Sequence, residues 1–323
     1  MTQFLIRRIF WAVFLFFVAT MVTYLIFWVI PSNPAALAAG KSATPADIAR
    51  VSHFLHLDEP IWKQYLRFVW NLLRHGSLGE SFVNRQSVRS IIEQDAPVTA
   101  SLVFGGAVFW LTLSIPVGIL SALRPRSIMD RISMTFVLIG ISAHPVWIGL
   151  ILSYVFGYRL HLTPIAGYCN FFPGTVGAQC SGPVNWAYHL LLPWITFMIL
   201  FAALYVRLVR ANVMETMSED YVRTARAKGA SQSRVMVQHV LRNSMLPVVT
   251  ILGMDLGLAL GGAIFTESIF QLPGLGRELI SANNNDDLPL ITGIVVFATI
   301  AVIFFNMLVD VAYAFLDPRI RAT

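Results

Sequence analysis

The 323 residues are 56% hydrophobic and only 12% charged, with a formal net charge of +6 and a mean hydropathy of +0.68, whereas a soluble domain carries about twice that charged fraction. Six stretches of more than twenty residues are nearly free of Asp, Glu, Lys and Arg, and each is long enough to cross a hydrocarbon layer about 30 Å thick. This excludes a disordered chain, a disulfide mini-scaffold and a nucleic-acid binder with a continuous basic patch; it predicts an all-α, multi-pass membrane protein.

The six spans are expected at 9–30, 96–123, 132–158, 186–206, 243–266 and 288–309. Asp255 is the one charge inside them, and a carboxylate at mid-helix costs roughly 2.5–3.5 kcal/mol on insertion scales, too little to cancel twenty apolar residues. Short cytoplasmic connections retain Lys and Arg. Here Arg7 and Arg8 precede the first span, Arg124, Arg126 and Arg131 follow the second, seven basic residues from Arg207 to Arg242 follow the fourth, and Arg319 and Arg321 end the chain. The short connections of opposite parity hold only Arg159 and Arg277, so both termini are expected in the cytoplasm. The first span begins like a signal peptide, with Ala36-Leu37-Ala38 as a cleavage-like site, but its apolar core is too long for one.

The outer segment 31–95 opens with Pro31-Ser32-Asn33-Pro34, which stops a helix. Helical spacing of apolar residues then predicts short helices at 46–55 and 61–73, with His75-Gly76 closing the second. Gly40-Lys41-Ser42 resembles the end of a phosphate-binding loop, yet Ala35 stands where that loop needs Gly, so the chain shows no nucleotide site of its own. Cys169 and Cys180 lie in the loop after the third span, on the side where a disulfide is possible. Two unpaired thiols are the alternative. No metal is expected there, because two Cys without a nearby His supply half a zinc site.

The cytoplasmic connection 210–244 carries the most specific pattern. Ser218 is suited to cap a helix with Glu219 and Asp220 in its first turn, Arg226 and Lys228 in its last, and Gly229 at its left-handed end. Ser231 then begins a second helix over 232–245 that enters the fifth span. The run from Asp220 to Gly229 (Asp-Tyr-Val-Arg-Thr-Ala-Arg-Ala-Lys-Gly), with His239-Val240-Leu241-Arg242-Asn243 and Leu246-Pro247, resembles the EAA loop of bacterial ABC importer permeases in the dipeptide, oligopeptide and nickel branch. Arg223, Thr224 and Ala225 stand where the general pattern has Glu-Ala-Ala. Further matches to the same branch occur in order: Phe4 to Arg8, His56-Leu57-Asp58-Glu59-Pro60 with Gln64-Tyr65, Gly76-Ser77-Leu78-Gly79 with Ser81-Phe82, and Ala96-Pro97-Val98-Thr99. Glu267-Ser268-Ile269-Phe270, Pro273-Gly274-Leu275-Gly276 and Leu316-Asp317-Pro318-Arg319 complete them.

The resemblance implies a type I importer permease fold with six transmembrane helices. Residues 1–95 would be the first span and outer loop, 96–316 a five-helix domain with the coupling loop, and 317–323 a cytoplasmic tail. It implies a second homologous permease, two cytoplasmic ATPase subunits that bind ATP and magnesium, and an external substrate-binding protein, in the bacterial inner membrane. Glu219, Asp220, Tyr221, Arg223, Ala225, Arg226, Lys228 and Gly229 would form the coupling helix that enters a cleft of the ATPase.

In the fifth span Gly253, Gly257 and Gly261 share one helical face, suited to close helix packing or to lining a conduit. Asp255 and Glu267 are candidates for the translocation path or for structural pairing. His144 and His189 are read as satisfying backbone groups freed by nearby prolines, and Asn306 and Asp310 as packing or interfacial residues. Motifs for an intramembrane protease or hydrolase are absent, as is the internal repeat of a secondary transporter. A translocation subunit for di- or oligopeptides is therefore expected, with nickel chelates, glutathione or oligosaccharides as alternative cargo.

Overall fold

The computed structural model describes residues 2–30, 33–40, 43–172 and 180–316, and side chains between 6 and 311. Lys41, Ser42 and the 317–323 tail lie outside the described residues. Every regular element among those described is helical, apart from two isolated bridges, Glu80 with Ser87 and Asn170 with Ser181.

Helix α1 (Thr2–Tyr24) continues as a π-helical turn, Leu25–Val29. The connection to the next span follows as α2 (Pro34–Ala39), α3 (Pro45–Phe54) and α4 (Ile61–His75). The sequence reading places α3 and α4 within a residue or two but omits α2. Asn33-Pro34 starts a helix: Pro34 occupies the first turn, where no donor is missed, and the Asn33 side chain accepts from the Ala36 amide at 3.0 Å. Thr44 and Asp47 form a capping box on α3, and these bonds, led by the Thr44 hydroxyl, hold the Asp47 carboxyl below its usual range.

The bundle consists of α5 (Val88–Leu123), α6 (Ile128–Ser142), α7 (Pro145–Leu152) with a π-helical extension Ser153–Arg159, and α8 (Pro183–Ser218). It is completed by α12 (Leu246–Leu260) and α15 (Leu288–Leu316). Among the described residues four helices are long and apolar enough to cross a membrane, and two bent pairs bring the number to six if each counts as one span. The third span is therefore not the single helix expected: α6 and α7 meet at 105°. Pro145 drives its predecessor out of the α region. His144 is extended (φ −80°, ψ 139°), and its ring accepts from the Val146 amide at 3.3 Å. This histidine thus caps the start of α7 and does not serve a carbonyl freed by proline.

Helices α5 and α8 form the centre of the bundle. The Trp110 ring stacks on Phe201 with centroids 4.6 Å apart, and Trp110, Tyr205, Leu102 and Val209 have no exposed surface. A Cβ at Gly118 would stand 2.7 Å from the Val209 side chain, so the absence of a side chain there sets the distance between the two helices. Large apolar residues on α1 and α6, among them Phe10, Trp11, Ile132 and Leu138, remain exposed, as is normal where lipid replaces water.

At the arginine-rich end, Asp130 near the start of α6 accepts from Arg210 of α8 at 2.7 and 3.0 Å, from Ser121 of α5, and from the Arg126 amide at 2.8 Å. Three helices are pinned there by one carboxylate. Arg8 of α1 pairs with Asp310 of α15 at 2.8 Å, tying the first and last spans at the same end.

Candidate coupling and translocation site

The 36-residue helix α8 runs about 54 Å at 1.5 Å per residue, so it projects well beyond its apolar stretch. It ends at Ser218. A single extended residue, Glu219 (φ −67°, ψ 147°), turns the chain into α9 (Asp220–Ala227). The expected cap is corrected here: Ser218 belongs to α8 and its hydroxyl bonds back to the Glu215 carbonyl at 2.7 Å, while Glu219 takes the capping position without a side-chain bond. The cause is that α8 continues to Ser218 without a break.

Helix α9 is polar on all but one side. Val222 has no exposed surface and Ala225 packs half-buried beside it, so two small apolar side chains anchor the helix. Glu219, Asp220, Tyr221, Arg223, Arg226, Lys228 and Gly229 stay exposed. The Asn243 side chain donates to Tyr221 Oη at 2.8 Å, linking α9 to α11 (Arg242–Ser244). Gly229 ends the turn in the left-handed region (φ +79°), and the Ala230 amide reaches the Ala225 carbonyl at 3.2 Å. The second expected helix is a three-residue α10 (Gln232–Arg234), a π-helical stretch Val235–Leu241, and α11. It meets α12 at 44°.

Gly253 and Gly257 of α12, and Gly261 just past its last residue, all face α15. A Cβ at Gly257 would lie 2.7 Å from the Val302 Cα, one at Gly261 would lie 2.6 Å from the Ala298 Cβ, and one at Gly253 would collide with Val309. The face is filled by another helix, which is the packing arrangement. Asp255, on another face, is half-buried and accepts from Tyr205 Oη of α8 at 2.7 Å.

Glu267 does not share a helix with Asp255. Helix α12 ends at Leu260, and after a break at Gly261-Gly262 (φ +134° at Gly262) Glu267 lies on α13 (Ile264–Ile269) with no exposed surface. Its carboxylate accepts from Thr99 Oγ1 of α5 at 2.8 Å and from the Gly276 and Arg277 amides at 2.7 and 3.0 Å; Thr99 Oγ1 in turn accepts from the Leu275 amide at 2.9 Å. These amides begin α14 (Leu275–Asn284). An acid at a helix N-terminus satisfies donors that lack intrahelical partners and complements the helix dipole. A Cβ at Gly274 would stand 2.5 Å from the Glu267 carboxyl carbon, so glycine is required for this approach. Three of the sequence patterns, around Thr99, Glu267 and Gly274, are parts of one polar joint.

A second such joint escaped the sequence reading. Asp287, almost fully buried, accepts from Ser81 Oγ and, at 3.1 Å, from the Phe82 amide; it also accepts from the Leu290 amide at 3.4 Å. It holds the Ser81-Phe82 pattern to the start of α15 across 206 positions of sequence. No local signal marks such a pair.

Cys169 and Cys180 are joined as a disulfide with Cα atoms 5.1 Å apart. His189, on the second turn of α8, stands beside them, with Nδ1 3.2 Å from Cys169 Sγ and 2.9 Å from the Asn185 carbonyl. The expectation that no histidine accompanies the cysteines is overturned, because α8 folds back along the loop. His189 serves Asn185 of its own preceding turn and not a carbonyl released by Pro193.

Residues 114–322 match the family described as binding-protein-dependent transport system inner membrane component, and residues 1–103 match the N-terminal family of the same membrane components. The dipeptide transport system permease protein DppB of Escherichia coli (strain K12) is 34% identical over 337 residues, 99% of each chain. A putative peptide transport system permease protein of Brucella abortus (strain 2308) is 34% identical over 322 residues, again 99% of each. A probable peptide ABC transporter permease protein of Sinorhizobium fredii (strain NBRC 101917 / NGR234) is 34% identical over 298 residues, 92% of each. With apolar spans, an exposed polar helix at the arginine-rich end and matches over nearly its whole length, the chain belongs to the family of inner-membrane components of binding-protein-dependent transport systems.

Proposed function

We propose that this chain is one of two pore subunits of an ATP-driven importer of di- and oligopeptides, with its termini and α9 in the cytoplasm and the α2–α4 segment outside. The orientation rests on the arginines after the second and fourth spans. Peptide cargo rests on the names of relatives that match the full chain. An external binding protein delivers the cargo, a second homologous permease completes the pore, and two ATPase subunits bind ATP with magnesium and hydrolyse it. This chain performs no catalytic step.

The observation that carries the reading is α9: a short helix anchored by Val222 and Ala225, with Glu219, Asp220, Tyr221, Arg223, Arg226 and Lys228 exposed. These side chains fit a polar cleft on the ATPase. Closure of the ATPase pair around nucleotide displaces α9. Because α8 is one unbroken helix from Pro183 to Ser218, the displacement passes along it to the Asp130 and Arg210 clamp and on to the Tyr205 bond with Asp255 in mid-membrane. Glu267 and Asp287 hold the opposite end together while the inner end moves.

Affinity purification of the tagged chain in mild detergent, with mass spectrometry of its companions, tests this. Recovery of two ATPase polypeptides or a pair of identical ones, together with a second permease, supports the assignment; a stable chain that purifies alone contradicts it. Nickel chelates, glutathione and oligosaccharides are the competing cargoes, separated by an uptake screen with the binding protein present.

A further inference from the structure

Helical spacing divides α4 (Ile61–His75) into three sectors. Tyr65, Phe68, Val69 and Leu72 form one apolar sector, Trp62, Leu66, Trp70 and Leu73 a second beside it, and Lys63, Gln64, Arg67, Asn71 and Arg74 the polar remainder. The first sector packs on α1. The Tyr65 hydroxyl donates to the Phe17 carbonyl at 3.0 Å and stands 3.0 Å from Thr20 Oγ1, and the Phe68 and Tyr24 rings lie 5.7 Å apart. Phe17 is near the middle of the apolar span Ile6–Val29, about 18 Å from Val29 at 1.5 Å per residue, whereas the hydrocarbon layer is about 30 Å thick in all. Helix α4 therefore reaches the depth of the acyl chains.

The polar sector is already engaged, which fixes the rotation of the helix. The Gln64 side chain donates to the Leu57 and Glu59 carbonyls at 3.0 and 2.7 Å, and Arg67 pairs with Glu59 at 2.9 Å. Arg67 and Asn71 also line a cavity of about 560 Å³ on that side. The second apolar sector is thereby left bare, with Trp62, Leu66, Trp70 and Leu73 each more than half exposed. Cations border it: Lys63 Nζ lies 5.4 Å from the Trp62 ring centroid, and the Arg74 guanidinium 5.2 Å from that of Trp70.

We propose that α4 is an interfacial helix whose Trp62, Leu66, Trp70 and Leu73 lie against the acyl chains of the phospholipid leaflet at the Tyr24 end of α1, while Lys63 and Arg74 reach its phosphates. Lipid is the occupant because Val18, Met21, Val22 and Ile26 of α1, at the level where α4 packs, are exposed as well, so the bare sector continues a surface that lipid already covers. The helix thus separates lipid on one side from the cavity on the other. This rests on α1 crossing the membrane and not on the cargo.

The test places single cysteines in the full chain, attaches a nitroxide without reductant, and reads electron paramagnetic resonance in nanodiscs of phosphatidylcholine with phosphatidylglycerol. Wild type, whose two cysteines are bonded to each other, gives the background. Collision with oxygen marks lipid, and collision with a water-soluble nickel chelate marks water. Leu66→Cys and Trp70→Cys are expected to favour oxygen, as does Ile26→Cys on α1, and Asn71→Cys to favour nickel. Any variant that does not elute like wild type is replaced by Leu73→Cys. The proposal is overturned if nickel reaches positions 66 and 70 as freely as position 71, which places the sector in water, or if both reagents are excluded from them, which places protein over it.

Discussion

Adding one methyl group at Gly257 separates two readings of the glycine face on α12. The Cβ of Gly257→Ala would stand 2.7 Å from the Val302 Cα, whereas carbon atoms in comfortable contact stand about 3.5–4.0 Å apart. The obstacle is backbone and has no rotamer to yield, so α12 and α15 must separate by about 0.8 Å or more. Overpacking of this kind costs about 1–3 kcal/mol, and the separation also loosens the neighbouring Gly253 and Gly261 contacts. Leu258, on the same helix and 67% exposed, is the control: Leu258→Ala leaves the interface intact. Thermal unfolding of the detergent-solubilised chain, followed by circular dichroism, shows a lowered midpoint for Gly257→Ala and near-wild-type behaviour for Leu258→Ala. If Gly257→Ala melts like wild type but slows uptake, the face lines the conduit and the packing argument fails.

Replacing Gly229 with Val forces a β-branched residue into φ +79°, at a cost above the roughly 1–2 kcal/mol that left-handed backbone imposes on an ordinary residue; uptake is lost while membrane insertion, assayed by fractionation, persists. Nothing lies within 4 Å of a Cβ there, so normal uptake would show that the left-handed turn is dispensable. Arg210→Ala leaves the buried Asp130 carboxylate without its cation and destabilises the chain by about 3 kcal/mol, the lower end for a broken buried pair because Arg210 is partly exposed; adding Asp130→Asn to that variant recovers part of the loss in the same melting assay. Glu267→Ala strands the Gly276 and Arg277 amides, with a penalty of about 1–3 kcal/mol for each, and Glu267→Gln, which keeps an acceptor, loses less. Cys169 and Cys180 gain mass on alkylation only after reduction, and labelling of both without reductant would refute the disulfide.

What the sequence made legible follows the physics that is local. Apolar length marked every span, the Ile61–His75 helix followed from spacing, and Gly229 was recognised because only a left-handed end suits that position. Features set by neighbours in space were hidden. The 105° bend at His144-Pro145 sits inside a charge-free stretch that hydropathy averages over, although the proline itself was a readable sign. Glu267 read as an isolated acid near a span end because its partner Thr99 lies 168 positions away, and Asp287 had no signal at all. Sequence alone sets His189 beside Pro193, whereas its nearness to Cys169, 20 positions away, is a matter of the fold. The glycine spacing suggested a small-residue face correctly but left its occupant open, which only the position of Val302 and Ala298 resolves.

If this chain passes peptides across the membrane when ATPase partners move α9, transport depends on ATP on one side and on the binding protein on the other. Reconstitution of the co-purified assembly into liposomes, with the binding protein and a labelled dipeptide on the outer side and ATP with magnesium within, measures it directly. The account predicts accumulation that requires ATP and binding protein and is abolished by Gly229→Val in this chain. Accumulation that proceeds without ATP, or that survives removal of the ATPase subunits, would contradict it.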